Sequence, residues 1–197
     1  MPSVVILLAD GTEEMEFTIT YDTLVRAGVT CCSAYVQDPA DPSSSERLFA
    51  KGSRGIRIMH DAVFDAQKFL PGSYDALIIP GGAKGAETMS TNAAVQALVR
   101  DFIQAGKIVG MICAGSLTAL TSKLVRQPMT SHPSVKSHLE NAFDYSEDPV
   151  VISNNLITSR GPGTTFPFAL ALVEILCGAA KRDEVRGPMV FPPGTPF

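Results

Sequence analysis

Six short apolar runs, rich in valine and isoleucine, punctuate the chain: SVVILLA (3–9), VTCCSAYV (29–36), DALIIP (75–80), KIVGMIC (107–113), VVIS (150–153) and LITS (156–159). Being apolar at successive rather than alternate positions, they predict strands buried on both faces, as parallel strands are. Helical spacing lies between them. Phe17, Tyr21, Leu24 and Val25 share one face of a first helix; Val95, Leu98, Val99 and Phe102 share a face of another, which Gly106 closes. A long apolar helix is expected over 164–177, with Pro167 in its first turn.

Alternating strand and helix signals predict an α/β sandwich, a mostly parallel sheet with helices on both faces. Residues 37–57 are polar and turn-rich and read as an excursion from that alternation. The last ten residues hold four prolines, so the end is expected to be an extended tail. At 197 residues, without a repeat or linker, one domain (1–197) is the expectation.

Charge narrows the partners. The net charge is −4 and no lysine- or arginine-rich run occurs, so no footprint for nucleic acid or an anionic membrane is present. Four cysteines without a C-x-x-C, and three scattered histidines, give neither a disulfide framework nor zinc spacing. No metal or other cofactor is expected. No apolar stretch approaches the ~20 residues of a membrane span, and the first apolar run lacks a basic leader. The expected location is the cytoplasm, with the nucleus alongside it, and the expected partner is a small molecule.

Three predicted strands end in unusual sequence, and parallel pairing brings those ends to one sheet edge, where ligands bind in open α/β sheets. The first ends in ADGTEEMEF (9–17). Asp10 can cap the helix with Glu13 at its third position, and one of Glu13, Glu14 and Glu16 can serve as a partly desolvated proton carrier. Periodicity does not choose among them, and each can equally complement the helix dipole. The second ends in IIPGGAKGAE (78–87), whose Gly81, Gly82 and Gly85 allow N–H groups to face an anion or a developing oxyanion. The third ends at Cys113, followed by Ala114, Gly115 and a helix start, a partial match to the nucleophile elbow with Met111 where that motif wants glycine. Such a corner lowers a thiol's pKa, whereas an inert core cysteine is the plain alternative. His132 precedes a proline and is placed on a loop, His138 in the helix after it, and His60 past the excursion.

With these motifs the chain resembles the ThiJ/PfpI superfamily in its DJ-one branch. The resemblance rests on VVILLADGTEEMEF, LVRAG, IIPGGAKGAETMS, MICAGSLTAL, SHPSVK and LITSRGPGTTFPFALALVEIL, in that order, over nearly the whole chain. It implies a flavodoxin-like sandwich that forms a homodimer, with the active site close to the dimer interface. It further implies that Cys113 is the elbow nucleophile, Glu16 the protonated carboxyl bonded to its sulfur, and His132 the nearby histidine. Gly81 and Gly82 with Ala114 are expected to form the oxyanion pocket; Arg26, Arg54 and Ser159 to line an anion patch, and Pro162 to border the site. Two departures stand out: Ser116 replaces the proline found after CAG in many relatives, and the 37–57 region is longer. Ala114 stands where peptidase-type relatives carry histidine, so no Cys-His protease dyad is expected. The implied activity is a cofactor-free glyoxalase III (D-lactate dehydratase) acting on methylglyoxal or glyoxal, with deglycase chemistry by the same route. The alternative is a redox sensor or chaperone whose Cys113 is oxidised to sulfinate.

Overall fold

The computed structural model describes every residue except 42, 45 and 46. In chain order the elements are β1 (Ser3–Leu8), α1 (Glu14–Arg26), β2 (Thr30–Tyr35), β3 (Phe49–Lys51), β4 (Arg57–Met59), β5 (Ala62–Val63), β6 (Ala76–Ile79), α2 (Ala83–Thr91), α3 (Ala93–Gln104) and β7 (Ile108–Ile112). They continue with α4 (Leu117–Thr121), β8 (Pro128–Met129), α5 (Lys136–Leu139), β9 (Asp144–Tyr145), β10 (Val150–Ser153), β11 (Leu156–Ser159), α6 (Thr165–Cys177) and α7 (Ala179–Arg186).

Seven strands form one sheet in the order β10-β11-β7-β6-β1-β2-β5. From β11 to β5 all neighbours are parallel. The predicted reason holds at the centre: every residue of β6, and Val4 through Leu8 of β1, is buried, because α1 and α6 cover one face while α2, α3 and α4 cover the other. Chain order reverses between β1 and β6, since β2 lies on one side of β1 and β6 on the other. A crevice opens at such a reversal. Small two-stranded ribbons, β3–β4 and β8–β9, sit apart from the main sheet.

Three expectations need correction. β10 is antiparallel to β11 and lies at the sheet edge, with Ile152 turned to solvent, so its apolar run is not buried on both faces. Val25 of α1 is also exposed, whereas Phe17 and Leu24 are buried. The polar 37–57 stretch is the expected excursion, its β3 pairing with β4 outside the main sheet. The chain end is not extended. Phe191 stacks edge-on against both Phe166 and Phe197, at ring distances of 5.0 and 5.2 Å, while Arg186 lies over the Phe191 ring and donates to the Phe197 carbonyl. Four prolines limit hydrogen bonding there, but aromatic contacts supply the docking that backbone pairing cannot.

Phe191→Ala removes two edge-to-face pairs, so urea unfolding should show a loss of about 1–2 kcal/mol. An unchanged midpoint would mean the tail contributes nothing to the fold.

Candidate active site

Three strand-to-helix turns converge at the carboxyl edge of β1, β6 and β7, and each contributes one part of a single cluster. On the first turn, Glu13 is the N-cap of α1: its carboxylate accepts the Glu16 backbone N–H at 2.8 Å. Asp10, expected as the cap, instead accepts the Lys51 backbone N–H and pairs with Arg47, tying the turn to residues 47–51. With Glu13 fixing the first turn, Glu16 points inward and is fully buried. Sequence reasoning placed Glu13 three positions into the helix; its relation to Glu16, acid three residues before acid at a helix start, is the signal that marks it as the cap.

The second turn supplies the partner. The Gly81 N–H donates to Glu16 Oε2 at 2.7 Å. A Cβ on Gly81 would stand 2.6 Å from the Cys113 Cβ and 2.8 Å from that carboxylate oxygen, so only glycine lets the backbone approach. Gly82, at φ +85°, presses against the β1–α1 turn, where any side chain would collide with the Gly11 carbonyl.

The third turn carries the thiol. Cys113 leaves β7 with φ +61°, a left-handed conformation that costs a non-glycine residue on the order of 1–3 kcal/mol. The corner is held by a short 3-10 turn (Cys113–Ser116) before α4, and by the His132 N–H, which donates to the Cys113 carbonyl at 3.3 Å. Ser116 does not disturb the helix start; it is buried and its hydroxyl donates to the Thr130 carbonyl at 3.2 Å. Cys113 is 8% exposed. Its sulfur faces the Glu16 carboxyl and the N–H groups of Ala114 and Gly82.

Burial pushes the Glu16 carboxyl up to about 7, against the opposing Gly81 N–H and Cys113 contacts and with a smaller push from the Glu13 charge. Oε1 has no hydrogen-bond partner among the described residues, and the Cys113 thiol lies beside the carboxyl. Burial, then the Glu16 charge, pushes the Cys113 thiol up to about 12, against the Ala114 and Gly82 N–H groups. The expected lowering of the thiol is therefore not what the environment gives. The two groups titrate as a pair. The high value belongs to removing the second proton, when both would be charged; with Glu16 protonated, the repulsion vanishes and a thiolate is met by three donors.

Sequence-predicted neighbours fall in different places. The His132 ring caps the following turn, its Nδ1 2.8 Å from the Ser134 hydroxyl and accepting the Ser134 N–H, so the neutral ring carries its proton on Nε2. Its far edge faces Gly161, next to the half-buried Pro162. Ser159 pairs in register with Ile112, one residue before the thiol, but its hydroxyl is taken by Pro149 and Thr164. Arg26 is not in the cluster: it ends α1, ten residues and about 15 Å beyond Glu16, and pairs with Asp22 on the surface. Arg54 stands on the β3–β4 turn, its backbone N–H held by Glu14 and its guanidinium exposed, lining a cavity whose walls do not include Cys113. His138 is exposed, and His60 stacks on Tyr35 away from the thiol. Among the described residues no group of acids, histidines and cysteines could hold a metal.

A family model described as the DJ-1/PfpI family matches residues 2–175. The chain belongs to the DJ-1/PfpI family. Among its relatives, the "Glutathione-independent glyoxalase DJ-1" of Schizosaccharomyces pombe is 39% identical, over 98% of this chain and all of the relative. The "Glutathione-independent glyoxalase DJR-1.2" of Caenorhabditis elegans is 34% identical, over 95% of each. The solved structure of S. pombe DJ-1 superposes with a TM-score of 0.87 at 38% identity, over 96% of this chain and all of that one. In this DJ-1/PfpI chain the elbow, the glycine turn and the acidic helix start meet as three parts of one cluster.

Glu16 has a folded pKa near 7, above its ordinary 4.5. Its favourable contribution is therefore complete below pH 4.5 and lost as the pH rises through 7, by about 3 kcal/mol in all. Relative to Glu16→Gln, the wild type should lose about that much between pH 4 and pH 8 in urea titrations. A pH-independent difference between the two proteins would show that the carboxyl is not desolvated as described.

Proposed function

We propose that the protein is a cofactor-independent glyoxalase III, converting methylglyoxal to lactate without glutathione, and acting in the cytoplasm. The observation that carries this reading is the thiol at a strained corner between a neutral-range carboxyl and two free N–H groups. The names of the S. pombe and C. elegans relatives support it.

In the productive form Glu16 holds the proton of the pair and Cys113 is the thiolate. The sulfur adds to the aldehyde carbon, and the new alkoxide receives hydrogen bonds from the Gly82 and Ala114 N–H groups before taking the Glu16 proton, giving a hemithioacetal and leaving Glu16 a carboxylate. Glu16 removes the hydrogen from that carbon and, through an enediol, returns it to the adjacent carbon. A pKa near 7 suits both halves of this transfer. The result is a lactoyl thioester, and water cleaves it to lactate and the free thiol. His132, with Nε2–H directed away from its Ser134 cap, positions the carbonyl side of the substrate and braces the Cys113 corner through its backbone. Addition of the same thiolate to aldehyde adducts of amines or thiols gives deglycase chemistry.

Arg54 belongs to the substrate patch only if a second copy brings it there. An apolar surface supports such a homodimer: Met15 on α1 is 51% exposed, and Ile56 and Met59 on and beside the β3–β4 turn are 59% and 76% exposed. Glu14 fastens that turn to α1, its carboxylate accepting from Ser53, Arg54 and Ile56. The same three donors around the sulfur would also hold a sulfinate, so oxidation of Cys113 is compatible with the site.

Cys113→Ala should abolish lactate formation from methylglyoxal, Glu16→Gln should lower kcat by about 100-fold or more, and His132→Ala should lower it less. Equal turnover by Cys113→Ala would overturn the reading. Sedimentation should show a dimer that Met59→Glu weakens; a wild-type monomer at micromolar concentration would exclude the second copy.

A further inference from the structure

Behind the Cys113 corner the segment 129–132 is fastened at every residue. Met129 of β8 lies in register with Tyr145 of β9, and its carbonyl accepts the Ser146 N–H at 2.8 Å. The Thr130 N–H donates to the Thr158 hydroxyl at 2.9 Å, while the Thr130 carbonyl accepts from the Ser116 hydroxyl. Ser131 is fully buried, and its carbonyl has one donor among the described residues, the Tyr145 hydroxyl at 3.1 Å. With that proton committed, the Ser131 hydroxyl is the donor in its own contacts, 3.0 Å to the Tyr145 oxygen and 3.1 Å to the His132 carbonyl. From outside, the Lys136 ammonium sits over the half-buried Tyr145 ring, 5.4 Å from its centre, and pairs with Glu147. The last residue, His132, donates its N–H to the Cys113 carbonyl at 3.3 Å.

These contacts run in series. The Ser131 carbonyl and the His132 N–H are the two ends of one planar peptide group, so Tyr145 and Cys113 grip the same rigid unit from opposite sides. The Cys113 carbonyl is in turn one end of the peptide group whose other end is the Ala114 N–H, and that N–H faces the sulfur. Hydrogen bonds joined in this way polarise one another, so a donor at the head of the chain strengthens the donor at its foot. We infer that Tyr145 is a positioning residue for the thiol site, acting through the Ser131–His132 and Cys113–Ala114 peptide groups to aim and polarise the Ala114 N–H. That N–H meets the thiolate and, in the reaction proposed above, the developing alkoxide. The part of Tyr145 in turnover rests on that reaction; its effect on the thiol does not. The titratable groups around the thiol are Glu16 from α1, with Glu13 behind it, and His132 on the bracing segment.

Tyr145→Phe keeps the ring and removes only the hydroxyl. Iodoacetamide alkylation of the whole protein, followed at Cys113 by mass spectrometry across pH, should shift its midpoint upward by about half a unit. The amide proton signals of His132 and Ala114 should move upfield as their hydrogen bonds weaken. Methylglyoxal turnover should lose about threefold in kcat with KM unchanged, the same half unit read as thiolate population. Phe191→Ala, which loosens the fold at the tail, should leave the midpoint and both amide signals where they are. A wild-type midpoint in folded Tyr145→Phe, or an unchanged kcat in an active enzyme, would each overturn the assignment. An equal shift in Phe191→Ala would overturn it too, by tracing the effect to stability alone. Absence of turnover in the wild type would instead sink the glyoxalase reading, with the alkylation profile still deciding the role of Tyr145.

Discussion

A carboxyl group out of reach of water has to be held by the protein groups around it, and for Glu16 these come from separate turns. The Glu13 cap aims it, the Gly81 N–H binds one oxygen, and the Cys113 thiol stands beside the carboxyl. None of these parts can shift alone. Gly81 has no room for a side chain because the Cys113 Cβ and the Glu16 carboxylate already occupy the space, and Cys113 turns left-handed at that corner. The rest of the sandwich fixes three strand ends at one edge closely enough for this contact to form.

The location follows from topology. Chain order reverses between β1 and β6, and the two turns that leave those strands carry Glu16 and Gly81. β7 is the next strand over and delivers Cys113. Reactive groups that are far apart along the chain thus become neighbours without any loop reaching across the sheet. In the proposed reaction the donors that would meet a developing negative charge are backbone N–H groups, fixed by the same turns and needing no rearrangement.

Much of the frame was legible in the chain, because burial on both faces leaves unbroken apolar runs that periodicity detects directly. VVIS misled because an antiparallel edge strand can carry the same residues with one face wet. Choice among Glu13, Glu14 and Glu16 was beyond periodicity: all three lie within one turn, and which one is buried depends on where the cap falls. Resemblance to a known family selected Glu16, which packing buries, with Glu13 capping and Glu14 fastening the β3–β4 turn. Asp10 was misassigned because a cap and a tertiary anchor look alike in sequence; only the chain returning at Arg47 and Lys51 separates them. The tail was misread for a related reason, since prolines forbid ladders but not aromatic docking. The shift of the thiol also lay outside sequence reach, being set first by burial and then by a carboxyl ninety-seven positions away.

The left-handed backbone at Cys113 carries a further consequence. Glycine would occupy that conformation without strain, so the residue that suits the fold and the residue that suits the chemistry are different ones. A chain selected for stability alone would drift to glycine at this corner and become inert. A cysteine there marks a position where reactivity is maintained at the expense of thermal resistance, and stabilising the protein without touching its chemistry means working elsewhere in the sandwich.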